Sequence, residues 1–231
     1  MENLHIPTIA AEPLLTIGPI TIVTTFITAW IVILIFLFLG LFLKKRLSLR
    51  PGKVQNTLEF FIEVLLGYFD QVTGDRKKTV QFFPLVGTIF FFILVSNWMG
   101  ILPGTGTLTL DHTPILRPAN TDLNLTVAMA LISVVASHIF AFVGIGFFTH
   151  LGKFVQIKPI LLSFSKGPIE VFKSIIEFGV GLLEIVSEIA KVFSLSFRLF
   201  GNVFAGEILL SVMSALVGIL VPAPFMLLEI L

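Results

Sequence analysis

The stretch Ile17-Gly-Pro-Ile-Thr-Ile-Val-Thr-Thr-Phe-Ile-Thr-Ala-Trp-Ile-Val-Ile-Leu-Ile-Phe-Leu-Phe-Leu-Gly-Leu-Phe-Leu43 holds no charged residue and is closed by Lys44, Lys45 and Arg46. It exceeds the ~20 apolar residues that an α-helix needs to cross a bilayer. Arg50 and Lys53 follow with no acid among them, whereas the residues before the run offer Glu2 and Glu12 but no Lys or Arg. Cationic residues stay on the cytoplasmic side, so the N-terminus is expected outside and the loop 44–81 in the cytoplasm. An uncharged run flanked this way reads as the first span of a polytopic α-helical membrane protein.

The rest of the 231-residue chain agrees. It is 56% hydrophobic and 13% charged, with a mean hydropathy of +1.03, against about 25% charged residues in soluble domains. A net charge of +1 without a basic tract interleaved with aromatics argues against nucleic acid as a partner. The absence of Cys excludes disulfides, thiolate chemistry and Cys-ligated metals. No cofactor or metal is expected. Residues 1–16 lack the cationic start of a signal peptide, so the first span reads as retained.

Outward from that span, residues 54–71 place Leu58, Phe61, Ile62, Leu65 and Phe69 at helical spacing, with Glu59, Glu63 and Asp70 off the stripe. This reads as an amphipathic helix on the cytoplasmic surface, ending near Gly74. A second span is expected over 82–102, with Trp98 as an interface anchor. Residues 104–121 read as an outside loop holding one cation, Arg117. The third span covers 123–148 and carries Ser133, Ser137 and His138, and the lysines 153, 158 and 166 put 149–167 in the cytoplasm. Pro168 suits the first turn of a helix, and the next proline is Pro222. The roughly 53 intervening residues would make about 80 Å of helix, so a long tilted helix is expected over about 168–220. A short last helix, 222–231, begins after it and is cut off by the end of the chain at Leu231. The expected fold is all-α and polytopic in a single domain. It has about five spanning helices and the surface amphipathic helix, with the long tilted helix forming a hairpin with the short, truncated last one.

Arg198 stands out within that long helix. It sits in Phe193-Ser-Leu-Ser-Phe-Arg-Leu-Phe-Gly-Asn-Val-Phe-Ala-Gly-Glu207, otherwise apolar or small. Arginine keeps its proton at any accessible pH, and burying it in a membrane costs at least ~2.5–3.5 kcal/mol. At about 100° per residue, Asn202, Ser194, Lys191, Ser187 and Glu184 fall within about 40° of Arg198. Glu177 and Glu188 lie within about 80°, and Glu207 projects about 180° away. Acids therefore flank a fixed positive charge along the axis, which blocks direct passage of a proton and favours the ionised form of any carboxylate brought beside it. Plainer readings stand beside this one. Glu184, Glu188 and Lys191 suit an ordinary ion-pair set, and Ser187 and Ser194 suit bonds back to their own helix. His138 suits either a helix–helix hydrogen bond or a proton relay, and Asp111 and Asp122 suit solvated loop or capping roles.

The motif Ser196-Phe-Arg-Leu-Phe-Gly-Asn-Val-Phe-Ala-Gly-Glu207 resembles the signature of subunit a of the rotary F-type ATP synthase. Arg50-Pro-Gly-Lys-Val-Gln55, Asn97-Trp-Met-Gly-Ile-Leu-Pro103 and Pro118-Ala-Asn-Thr-Asp-Leu-Asn-Leu-Thr126 resemble that family's other landmarks in order. The resemblance covers roughly residues 17 to 231 and implies a non-catalytic stator subunit of the proton pathway. Its implied partners are a c-subunit ring, peripheral-stalk b subunits, membrane lipid and protons, in a bacterial plasma membrane. It implies that Arg198 faces the ring carboxylate, that Asn202 and Glu207 serve the outer route and that Glu184 serves the cytoplasmic one. Glu229 takes the last-helix position beside the outer acid. The family carries a glutamine further along that helix, past Leu231, so either the chain is truncated or its outer route is finished differently. Ser194, Lys191, Asp122 and His138 complete the candidate proton-translocation set. Two rivals remain at this point: a secondary transporter whose arginine binds an anionic substrate, and a structural scaffold indifferent to Arg198.

Overall fold

A computed structural model of the chain describes residues 13–17, 20–48, 51–101, 109–110, 113–114, 117–154 and 168–217. Contacts divide it into two units, Met1–Asp122 with Asn202–Leu231, and Leu123–Gly201.

In the first unit, β1 (Pro13–Ile17) pairs antiparallel with β2 (Ile20–Val23), which runs straight into α1 (Thr24–Arg46). Ile20, Thr21, Ile22 and Val23 are β-branched and suit a strand, so the helix begins at Thr24 and not at Ile17 as hydropathy alone placed it. After α1 the chain turns on Gln55, which accepts from the Ser48 N–H at 3.2 Å and donates to its carbonyl at 3.0 Å. The amphipathic helix is α2 (Lys53–Thr73), packed on α3 (Arg76–Ile101) with Leu66 as its buried residue. Gly74 between them has φ +68°, a left-handed conformation open to glycine. Arg76, at the start of α3, reaches back to Glu63 and Asp70 at 2.7 Å each, an exposed corner clamp. The Thr79 hydroxyl, and then the Arg76 guanidinium, hold the Asp70 carboxyl below its ordinary range. Two-residue strands β3 (Thr109–Leu110) and β4 (Thr113–Pro114) pair antiparallel. A buried 3-10 turn, Ala119–Thr121, packs against α1 and α3. Gly100 is glycine for a reason: a Cβ there would collide with the Pro118 ring.

In the second unit, α4 (Leu123–Ile145) is followed by the short α5 (Phe147–Phe154). Gly146 between them, at φ +93°, lets α5 turn back beside α4. α6 (Pro168–Val217) is 50 residues without a break, about 75 Å at 1.5 Å per residue. It belongs to this unit as far as Gly201.

The expectation of about five spanning helices is corrected by the structure. Among the described residues three are long and apolar enough to cross a membrane: Thr24–Lys45, Arg76–Gly100 and Leu123–Ile145. The long α6 is not among them; ionisable residues recur along it from Glu170 through Glu184, Glu188, Lys191 and Arg198 to Glu207. The last helix of the expected hairpin, residues 222–231 with Glu229, lies outside the described residues, as does Asp111. Among the described residues the chain is all-α but for two small hairpins, and it crosses the membrane several times.

Candidate functional site

Among the described residues, and apart from the α2–α3 corner, the polar side chains gather in two places, one in each unit. In the second unit α4, α5 and α6 line a cleft of about 310 Å³ whose walls include Ser133, Ser137, His138, His150, Lys153, Glu184, Glu188 and Lys191. Three of the residues singled out from sequence, His138, Glu184 and Lys191, meet here. Their neighbour Glu188 accepts from Lys191 Nζ at 2.7 Å and lies 3.6 Å from His138 Nε2. The plain ion-pair reading of Glu188 and Lys191 is therefore realised, while Glu184 lines the cleft with no ion pair among the described residues. His150 is the residue that sequence reasoning missed: it is 6% exposed, and its Nε2 lies 3.1 Å from His138 Nδ1. Phe142 and Phe154 pack edge-on against its ring. The available signal was the amphipathic Phe147-Phe-Thr-His-Leu-Gly-Lys-Phe154, whose helical period points His150 one way and Lys153 nearly the same way.

The cleft depends on close helix approach. A Cβ on Gly181 of α6 would stand 2.6 Å from the Phe154 carbonyl oxygen. Gly181→Ala should therefore push α5 off α6 and destabilise the chain by about 1–3 kcal/mol. Thermal unfolding of the purified protein in detergent should show the lowered midpoint, and an unchanged midpoint would contradict this packing.

Further along α6, Arg198 is exposed, and among the described residues no acid pairs with it. Ser194, Lys191 and Ser187 on its stripe are exposed as well, and so is Asn202 one turn on. Phe193 and Phe197 stack nearby with ring centroids 6.2 Å apart and are also exposed. A permanently charged side chain among exposed phenylalanines is a poor surface for lipid, and it calls for a partner. Ser196, by contrast, is buried and donates back to the Val192 carbonyl at 2.7 Å.

The first unit holds the other cluster. Arg117 is 2% exposed, and its Nε donates to both Glu207 oxygens at 2.8 and 3.0 Å. Sequence reading left Arg117 as a loop cation, because its partner lies far along the chain and nothing local links the two. Around it, the Ser96 hydroxyl accepts from the Ala119 N–H at 3.2 Å, and Asn120 donates to Asn97 at 2.6 Å. Asp122 accepts from the Thr25 hydroxyl at 3.2 Å. A charged pair and several amides and hydroxyls thus form one buried polar layer where α1, α3 and the 3-10 turn meet. Such a layer is stable only when its members satisfy one another. No group of His, Asp and Glu suited to a metal ion occurs among the described residues.

Several membrane-crossing helices, an exposed fixed arginine and two clusters of titratable groups define a membrane protein built to handle charge. Comparison with known proteins names the class. The profile of the ATP synthase A chain family matches residues 24–231. The chain is 32% identical over 216 residues to ATP synthase subunit a of Moorella thermoacetica, covering 93% of this chain and 84% of that one. It is 35% identical over 222 residues to ATP synthase subunit a of Gloeobacter violaceus, covering 93% of this chain and 78% of that one. The chain belongs to the ATP synthase A chain family. It is a non-catalytic stator component of the proton-transporting synthase, embedded in the membrane by several spans.

Proposed function

We propose that this chain provides two offset half-channels to a rotating c-subunit ring, and that Arg198 keeps them apart. The observation that carries the reading is Arg198 itself: exposed on α6, without an acid partner among the described residues, on a stripe with Asn202, Ser194, Lys191 and Glu184. A ring carboxylate brought against it loses its proton, because the guanidinium stabilises the anion and cannot accept a proton itself. The proton leaves on the cytoplasmic side through Glu184, with Lys191, Ser194 and His138 along the way. The outer route reloads the ring through Glu207, Asp122 and Asn202, with Glu229 beside them. Ion flow down its gradient can then proceed only by carrying the ring round, which couples it to ATP synthesis. The setting is a bacterial plasma membrane, with the N-terminus outside and 44–81 and 149–167 in the cytoplasm. The peripheral-stalk b subunits and lipid contact the remaining faces.

Glu184 tests the cytoplasmic route. Glu184→Gln keeps the size and hydrogen-bonding of the side chain but removes its capacity to ionise, and should slow ATP-driven proton pumping by about tenfold or more. Pumping at the wild-type rate in an assembled Glu184→Gln complex would contradict the assignment.

A further inference from the structure

The second unit holds a titratable cluster that extends the proposed route past His138 to two residues the route does not name, His150 and Glu188. His138 on α4 and His150 on α5 face each other nitrogen to nitrogen at 3.1 Å. The far edge of the His138 ring, Nε2, lies 3.6 Å from Glu188 Oε2 on α6. At the far edge of His150, Nδ1 is buried and has no hydrogen-bond partner among the described residues. The charged groups facing the pair are Lys153 on α5 and Glu184, Glu188 and Lys191 on α6. Phenylalanines 142 and 154 cover the rings.

Two imidazole nitrogens at this distance make a hydrogen bond only when one carries a hydrogen and the other a lone pair. Uncharged, the two rings carry two N–H hydrogens between them. Adding one proton gives three: one shared between the rings, one on His138 Nε2 pointing to the Glu188 carboxylate, and one on His150 Nδ1. That state keeps the hydrogen bond between the rings and the contact with Glu188, and leaves the His150 Nδ1–H a buried donor with no partner among the described residues. A fourth hydrogen would have to enter between the facing nitrogens, setting two N–H groups and two positive charges against each other. The pair therefore accepts one proton and refuses a second, and the Glu188 carboxylate lies where it stabilises the added charge.

We propose that His138 and His150 form a one-proton store on the cytoplasmic access route, with Glu188 as its counter-charge. This rests on the reading that Glu184 lines that route. The store takes a proton from cytoplasmic water as an N–H bond forms at the unoccupied nitrogen. It gives the proton up as an N–H bond breaks and an O–H bond forms on Glu184, directly or through water in the shared cleft. No electron transfer or co-reactant is involved, and the steps reverse when the synthase runs the other way. The store matters most when the cytoplasm is alkaline and free protons are scarce.

The test uses the intact synthase in inverted membrane vesicles, where the bath is the cytoplasmic side, and follows ATP-driven proton pumping against bath pH. Wild-type pumping should hold up as the bath is taken from acid to alkaline pH. His138→Gln and His150→Gln should each make pumping fall off toward the alkaline end, where it should be several-fold slower than in the wild type. The double variant should be no worse than either single one, because the two rings act as one unit. Glu188→Gln leaves both rings in place but removes their counter-charge, and should also slow pumping at the alkaline end, which covers the case of a histidine variant that fails to assemble. A wild-type pH profile in both histidine variants, or single effects that multiply in the double variant, would overturn the store. Glu184→Gln run alongside separates the two readings. Slow pumping in Glu184→Gln with unaltered histidine profiles leaves the route standing and removes the store, whereas normal pumping in Glu184→Gln removes the route and the store with it.

Discussion

Arg198→Ala is expected to abolish proton-driven ATP synthesis while leaving the membrane permeable to protons through the complex. At an effective dielectric constant near 20, a guanidinium about 4 Å from a carboxylate favours its ionised form by about 4 kcal/mol. That corresponds to about 3 pK units, a thousandfold change in proton occupancy. Alanine removes both this drive for proton release and the barrier to direct passage. Synthesis should fall by roughly 100-fold or more, and passive proton flux should persist or rise. Arg198→Lys should fail in large part too: its ammonium can lose a proton in an apolar setting and lacks the planar fork. Synthesis in reconstituted vesicles, measured together with passive acidification, reads both effects. Near-normal synthesis in Arg198→Ala would leave only the scaffold reading.

The second large effect concerns the Arg117–Glu207 pair. Arg117 is 2% exposed against 19% for Glu207, so removing the cation takes a 2.8 Å charge partner from a carboxylate in a mostly buried layer. Arg117→Ala should cost up to about 3 kcal/mol of stability and reduce the amount of assembled complex. Replacing both partners by leucine takes away both charges together. Such a swap is often close to neutral for folding, so the double variant should recover assembly relative to Arg117→Ala. It should not recover proton-driven synthesis, because Glu207 is the proposed carrier on the outer route. Complex yield on native gels and synthesis rates separate the two roles. Recovery of synthesis in the double leucine variant would show that Glu207 is structural only.

The local features of the chain could be read without a structure, and the long-range ones could not. Uncharged runs ending in Lys44-Lys45-Arg46 or preceded by Asp122 mark helices because hydropathy and charge act over a few turns. The Arg198 stripe could be read in the same way, since helical period alone aligns Glu184, Lys191, Ser194 and Asn202 with it. Counting spans went wrong at α6, where apolar residues and ionisable ones alternate over a length no simple span needs. The hairpin before Thr24 was hidden because β-branched residues are as apolar as helix-forming ones. Arg117 and Glu207 meet only because folding brings the segment before the 3-10 turn to the far end of α6. His150 meets His138 only because Gly146 takes a left-handed conformation and returns α5 to α4. Charge partners brought together by a turn or by packing leave no periodic trace.

The central claim is that the Arg198 face of α6 lies against the rotor. Leu195→Cys sits about 60° from Arg198 and Ile189→Cys about 180° from it on the same helix; both positions are exposed in the chain alone. Oxidative crosslinking to cysteines placed beside the membrane-embedded carboxylate of the c subunit should join Leu195→Cys to the ring and leave Ile189→Cys free. Equal crosslinking at both positions, or none at Leu195→Cys with the complex intact, would contradict the account.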